Sequence, residues 1–321
     1  MRSFPRLHIG LLDLGHATHR DHGGGGFYID GLPLEIEVRA SRKTRLVGLE
    51  QLDADGQHDL RAAVHRMRAI FPRPKLAIHL RNVPPQHVGL GTKTAVILGT
   101  LKAMDLVLKS NLETRRLQEL SGRGGTSGIG INAFFFGGFI VDCGHTASKK
   151  GEFAPSSSRV DFRVPPTVCR SRIPPEWRFY PVLLQGRRLA SRMEVRFFRE
   201  NTPIPAREVL LSMAALYHGI VPAVLEADLM LLKRALHDLH STGFKARELR
   251  NQADPVRDFL KEADEKTGLA VGMSSLGPLV FAVGAASDNK ERELIKDLAV
   301  KYGGRMLGAF RGRNRGYEVV K

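Results

Sequence analysis

Thiols, indoles and long apolar runs are scarce in this 321-residue chain, which has two cysteines and one tryptophan. Cys143 and Cys169 are too few for a disulfide framework or a thiolate metal site, which fits a reducing, cytoplasmic compartment. No uninterrupted apolar stretch approaches the roughly 20 residues of a membrane helix. The most apolar one, Ile131–Val141, contains Asn132 and two glycines. The opening residues, MRSFPRLHIGLLDLG, lack the apolar core and small-residue cleavage site of a signal peptide. No membrane partner is expected. Aromatics make up only 7% of the chain and no zinc-finger, K-homology or RNA-recognition signature occurs, so no specific nucleic-acid partner is expected either.

Positive charge and glycine are plentiful. The formal net charge is +16, with arginines scattered through Arg170–Arg178, Arg187–Arg199 and Arg305–Arg315. A solvated basic surface and a cleft for a highly charged small substrate both account for that excess. At about 150 residues per domain the length predicts two domains. Ser, Pro and Arg crowd together between Thr146 and Pro175, which reads as a linker or surface excursion. The expected division is therefore 1–165 and 166–321.

The order of elements predicts an α+β chain. Short apolar runs at Ser3–Asp13, Leu32–Ala40 and Lys43–Leu49 read as strands separated by Gly-rich turns. Apolar spacing then predicts helices over Asp53–Phe71, Thr92–Lys109 and Glu113–Leu120, with a strand at Lys75–Arg81. A short helix beginning near Thr126 and a strand at Gly138–Cys143 follow. The C-terminal half reads as a strand at Arg178–Leu184, helices within Ala206–His218, Pro222–His240 and Pro255–Thr267, and a closing strand–loop–strand–helix–strand.

Two loops carry the chemistry, Val88–Ala95 (VGLGTKTA) and Ser121–Gly130 (SGRGGTSGIG). Glycine clusters edged with hydroxyls and one cation leave backbone N–H groups free for an anion. A Walker phosphate loop needs glycine before Lys-Ser/Thr, whereas Thr92 precedes Lys93-Thr94 here. Gly128–Ala133 fits a dinucleotide G-x-G-x-x-A pattern, but a helical segment precedes it where a strand is required. Lys93 falls in the first turn of one predicted helix and Arg123 just before another, where a cation is mildly unfavourable. A phosphate between cation and helix N-terminus resolves that conflict; an exposed side chain without a ligand is the alternative.

Taken together, these stretches resemble the GHMP small-molecule kinases, in this order along the chain: PRLHIGLLDLG (Pro5–Gly15), P-x-x-x-G-L-G-T-x-T-A (Pro85–Ala95), GGTSGIG, and VGMSSLGPLVFAV (Val271–Val283). Those kinases commonly carry an aspartate directly after Ser-Gly-Ile, acting on the hydroxyl to be phosphorylated. Gly130 occupies that place here. The combination of RLHIGLLDL, GGGGFYI, HVGLGTKT, GRGGTSGIG, GGFIVDCGH, PPEWRF and GMSSLGP is similar to the β-ribofuranosylaminobenzene 5′-phosphate synthase branch of that superfamily. The His16–His22 insert, HATHRDH, and Ala95 depart from that branch.

The resemblance implies a two-domain GHMP-kinase-like fold, with an S5-like α/β N-terminal domain and a ferredoxin-like C-terminal one. It also implies decarboxylating transfer of phosphoribose from 5-phosphoribosyl 1-pyrophosphate to 4-aminobenzoate or 4-hydroxybenzoate in methanopterin-type cofactor synthesis. Magnesium, no ATP, and a homodimer are further implications; an ATP-dependent kinase is the runner-up. On this reading Lys93 and Arg123 contact phosphate, together with Thr92, Thr94, Thr126, Ser127 and the amides of Gly89, Gly91, Gly124, Gly125 and Gly128. Asp13 would hold magnesium or steady the sugar cation, or else simply close a turn. Arg6 would fork onto an anion, while His8 is a proton carrier or a packed core histidine. Arg20 closes over phosphate or lies exposed. Ser274 and Ser275 shape the far wall of the cleft or cap backbone, and His145 sits at the rim or in a structural turn. His16, His19 and His22 have metal-like spacing without supporting thiols.

Overall fold

The computed structural model describes residues 1–71, 74–147, 153–155, 163–189 and 191–320. Three sheets organise the chain, and their faces follow from period-two alternation in the strands. The first sheet runs in the order Arg2–Ser3, Leu34–Ala40, Leu76–Asn82, Arg45–Val47. Helices Ala54–Ile70 and Thr92–Leu108 cover it. Leu60, Val64 and Met67 of the first, and Val96, Ile97, Leu101 and Met104 of the second, bury a helical stripe against Ile36, Ile78 and Leu80.

The second sheet runs Arg6–Asp13, Arg20–Tyr28, Phe139–Asp142, Thr167–Ser171, all antiparallel, with His145–Thr146 paired to the start of Arg20–Tyr28. The third runs Ala270–Met273, Leu279–Ala285, Trp177–Leu183, Arg305–Met306. In chain order these strands are the second, third, first and fourth of a β–α–β–β–α–β unit, the ferredoxin-like arrangement expected of the C-terminal half. Strand alternation buries both of its faces. Tyr180 and Val182 meet helices Asp254–Lys266 and Asn289–Lys301. Trp177 and Phe179 point the other way, into the largest core cluster with Leu7, Ile9, Phe27, Phe139 and Phe281.

Three expectations change. Arg20–Tyr28 is a nine-residue strand, where Gly23–Gly26 had read as a turn. Glycine normally weakens a strand and often marks close backbone approach. Here a Cβ at Gly24 would stand 2.3 Å from the Gly10 carbonyl oxygen, so nothing larger fits. A domain boundary at 165/166 would cut the second sheet, because Val141 pairs with Cys169 and Ile140 with Arg170. The C-terminal end also returns to the N-terminal half through bridges from Arg2 to Glu318 and Ile29 to Gly312. Part of the expected linker at Thr146–Pro175 is thus sheet, and part lies outside the described residues.

The helical run Ala206–Leu225 is continuous where two separate helices were expected. Its middle, Ala215–Ile220, is π-helical, and Pro222, which has no N–H to donate, follows directly on it. By length and composition it is apolar enough to cross a membrane, with a mean hydropathy of 1.6 over its most apolar stretch. Leu216, Ile220, Ala223 and Val224 on this run belong to the central core.

Candidate active site

A cleft opens where the first two sheets, the Ser274–Leu276 loop and helix Gly243–Asn251 converge. The space within it, open solvent included, is about 1190 Å³. Arg6, His8, Gly89, Gly91, Thr92, Lys93, Thr94, Arg123, Gly124, Thr126, Ser127 and Ser275 all line it, so most of the expected site residues are brought together.

The first glycine loop is built to leave amides open. Gly91 caps helix Thr92–Leu108 with a left-handed backbone, φ 75°, and no side chain accepts from the first turn. The loop is held from outside. Thr92 Oγ1 donates to the Pro85 carbonyl at 2.9 Å, Arg6 Nη1 to the Gly89 carbonyl at 2.7 Å, and Ser274 Oγ to the same carbonyl at 2.6 Å. Open first-turn amides and the positive end of the helix make an anion site. Lys93 Nζ lies 3.2 Å from Asp59, and Arg123 Nη1 approaches the same carboxylate at 3.9 Å. Asp59 lies between these two cations, Glu194 also acts on Arg123, and Arg6 adds a third positive charge. Arg6 opens onto the cleft but is enclosed by protein. Desolvation, and then Arg123, bring its pKa down to about 10, so it stays charged at neutral pH.

The second loop is different. Its helix, Ile129–Phe136, begins at Gly128, whose N–H donates to Asp142 Oδ2 at 2.9 Å. Ser127 Oγ donates to the same oxygen at 3.3 Å and accepts from the Ile129 N–H at 3.2 Å. Asp142 Oδ1 takes the Gly144 N–H at 2.9 Å. An internal carboxylate therefore occupies this N-terminus, and Gly128 does not offer its amide to a ligand. Gly125 does not line the cleft. The loop instead contributes side chains: Arg123, tied by Nε to Thr94 Oγ1 at 3.3 Å, together with Thr126 and Ser127. Burial raises the Asp142 carboxyl to about 6 against the hydrogen bonds that favour its charge.

His8 joins the walls. Its Nε2 lies 3.0 Å from Ser127 Oγ and its Nδ1 meets Ser275 Oγ. Its backbone N–H donates to Ser274 Oγ at 2.9 Å. Burial, then Arg6 and Lys245, hold the imidazole well below its ordinary 6.5, so it is neutral at physiological pH. His8 is packed and hydrogen-bonded, one of the two sequence alternatives, and it also lines the cleft.

Asp13, expected to act on metal or sugar, does neither in this geometry. It is fully buried, and its oxygens accept the N–H groups of Gly15, Ala17 and Thr18. It closes the turn after Arg6–Asp13. Arg20 likewise donates to the carbonyls of Cys143 and Gly144, both at 2.7 Å, and tethers that turn away from the cleft. Ser274 is buried and fastens the first loop to the strand Arg6–Asp13. His145 Nε2 sits 3.0 Å from the Gly124 carbonyl, supporting the second loop from behind. His16 pairs with Asp21 at 2.8 Å and stacks on Phe153. Among the described residues no group of three or more His, Cys, Asp or Glu side chains is placed to hold a metal ion.

Sequence reasoning missed the opposite wall. Leu11, Leu189, Phe198 and Leu276 line the cleft and belong to one apolar cluster with Phe197 and Phe244. Glu248 stands beside it on helix Gly243–Asn251, and Lys245, one turn earlier, pairs with Glu248 in full burial. The signal was present in TGFKARELRNQ, where Lys245 and Glu248 are three apart on one helical face. Such a pair reads as solvent-exposed until tertiary packing covers it.

Residues 59–138 match the family described as GHMP kinases N terminal domain. The chain is 31% identical over 323 residues to a beta-ribofuranosylphenol 5′-phosphate synthase of Methanothermobacter thermautotrophicus, covering 98% of this chain and 97% of that one. It is 30% identical to the protein of the same name from Archaeoglobus fulgidus, covering 99% and 98%. Among solved structures, homoserine kinase from Cytophaga hutchinsonii superposes with a TM-score of 0.69 at 15% identity, covering 99% of this chain and 97% of that one. The last likeness is one of fold.

Proposed function

This chain belongs to the beta-ribofuranosylphenol 5′-phosphate synthase family, a branch of the GHMP kinase superfamily, and on that premise we propose that it is a decarboxylating phosphoribosyltransferase. The donor is 5-phosphoribosyl 1-pyrophosphate, and the acceptor is a benzoate bearing a para hydroxyl or amino group. The anomeric carbon loses its bond to pyrophosphate and gains one to the ring carbon that carried the carboxylate. Carbon dioxide leaves with restoration of the aromatic ring, giving a C-riboside 5′-phosphate for methanopterin-type cofactor synthesis.

One observation carries this reading: a single cleft joins an open, cation-flanked helix N-terminus to an apolar wall. Loss of pyrophosphate builds negative charge on the leaving group, and preorganised donors stabilise that charge best. Lys93, Arg123 and the amides at Gly91–Thr94 are placed to receive it. Leu11, Leu276 and Phe198 suit a flat ring. Gly130 fits the same reading. A Cβ there would fit in ordinary contact, 3.5 Å from Thr94 and 3.9 Å from Arg6 Nε, yet no carboxylate is present. Arg6 is left to an anionic substrate, where a kinase would place its catalytic aspartate.

Magnesium bound through a substrate's phosphates needs only one or two protein carboxylates. Asp55 and Glu194 line the cleft, so the donor set suits an ion that arrives on pyrophosphate, not a dedicated cage. When bound, it would neutralise charge on the leaving group.

The test uses purified protein, magnesium, phosphoribosyl pyrophosphate and carboxyl-labelled 4-hydroxy- or 4-aminobenzoate. Equal release of labelled carbon dioxide and pyrophosphate is expected with at least one acceptor. No release with either, alongside consumption of ATP with a small alcohol, would replace this reading with a kinase.

A further inference from the structure

Glu248 is 2% exposed, lines the cleft, and has both carboxylate oxygens out of solvent: Lys245 meets Oε2, and Oε1 takes no hydrogen bond from any described residue. Its charge is met by Lys245, itself fully buried and anchored by donation to the Met273 carbonyl at 3.1 Å. The ammonium serves Oε2 and leaves Oε1 without a donor, and buried lone pairs are costly when left empty. Glu248 also lies beside the apolar wall, on the same helix as Phe244, and close enough to Arg6 to help sustain the charge of that guanidinium. The cleft thus offers an apolar wall and, beside it, an acceptor oxygen waiting for a donor.

We propose that Glu248 is the catalytic residue that reads and deprotonates the para hydroxyl of the aromatic acceptor, an assignment that rests on the phosphoribosyl transfer proposed above. The O–H bond of the hydroxyl breaks and its proton passes to a Glu248 oxygen. The freed electron pair moves through the ring to the carboxylate-bearing carbon. That carbon bonds to the anomeric carbon as the pair of the breaking C–O bond departs with pyrophosphate. Cleavage of the ring–carboxylate bond then releases carbon dioxide and returns a pair to the ring, and the phenolic oxygen recovers its proton from Glu248. Lys245 fixes the carboxylate in position. A para amine can supply its lone pair without first losing a proton, so the two acceptors depend on Glu248 unequally.

The experiment compares wild type with Glu248→Gln on both labelled acceptors. Charge-assisted hydrogen bonds and general bases are worth about 10²-fold or more, so kcat with 4-hydroxybenzoate should fall by about 10²-fold while kcat with 4-aminobenzoate falls by less than about 5-fold. Equal losses on both acceptors would reduce Glu248 to a structural role and overturn the assignment. An inactive wild type would instead sink the transferase reading itself. Should Glu248→Gln fail to fold, competition on the wild type decides. 4-Hydroxybenzenesulfonate should bind at least about 10-fold tighter than 4-nitrobenzenesulfonate, which offers no donor; equal binding contradicts the proposal.

Discussion

The two glycine-rich loops look alike in sequence and end in opposite states. At Gly91–Thr94 the helix N-terminus is uncapped by any side chain and faces the cleft. At Gly128–Ile129 Asp142 has taken the place an anionic ligand would occupy. The first loop is therefore suited to receive charge from outside. The second is closed on an internal carboxylate and presents Arg123, Thr126 and Ser127 as side chains. A glycine-rich motif specifies a backbone that can bind an anion; the rest of the fold decides whether the anion is a substrate or an aspartate.

Several substitutions would break or sharpen that contrast. The largest effect is expected from Arg6→Met, which removes the half-buried cation between the open loop and the apolar wall. Its kcat/KM should fall by about 10³-fold, the scale of losing one preorganised charge-stabilising donor. Retention of more than a tenth of the activity would show that Arg6 is structural. Gly91→Ala comes next, because its φ of 75° is left-handed and a Cβ would stand 3.0 Å from Arg6 Cγ. A loss of about 10²-fold is expected for moving both loop and guanidinium. Gly130→Ala, whose Cβ would make only ordinary van der Waals contact with Thr94 and which has no left-handed backbone, should change kcat/KM by less than about 3-fold.

How much of this could be read beforehand varied with the physical cause. Helices such as Thr92–Leu108 followed from apolar spacing, and the residues gathered in the cleft followed from the two glycine loops and the strand Arg6–Asp13. The strand Arg20–Tyr28 was hidden because its glycines answer to contacts with Gly10 and Leu7 that only the folded sheet creates. Asp13 misled for a related reason. A carboxylate at a strand end serves a metal or three turn amides equally well in sequence, and here three N–H groups claim it. Asp142 and Glu248 escaped notice because burial, not residue type, gives each its role.

Asp142→Asn probes the closed loop through pH. The ordinary carboxyl value of 3.8 is raised to about 6 in the native state. The folded chain therefore holds a proton that the unfolded chain releases between those values. The stabilisation is complete below about pH 4 and is lost as pH rises through 6, on the order of 3 kcal/mol in all. Asparagine does not titrate and gives up one backbone hydrogen bond. Its Tm deficit relative to wild type should be largest below about pH 4 and narrow toward pH 7.5. A deficit constant with pH would mean that Asp142 ionises like an exposed carboxylate.

The most direct measurement is a structure of the protein with phosphoribosyl pyrophosphate, magnesium and 4-hydroxybenzenesulfonate, which cannot lose carbon dioxide. The expected result places pyrophosphate oxygens on the amides of Gly91–Thr94 beside Lys93 and Arg123, with the aromatic ring against Leu11 and Leu276. Asp142 should remain on the Gly128 amide, holding the second loop closed to substrate. Pyrophosphate seated instead on the Gly128 amide, with Asp142 displaced, would contradict the division of labour between the two loops.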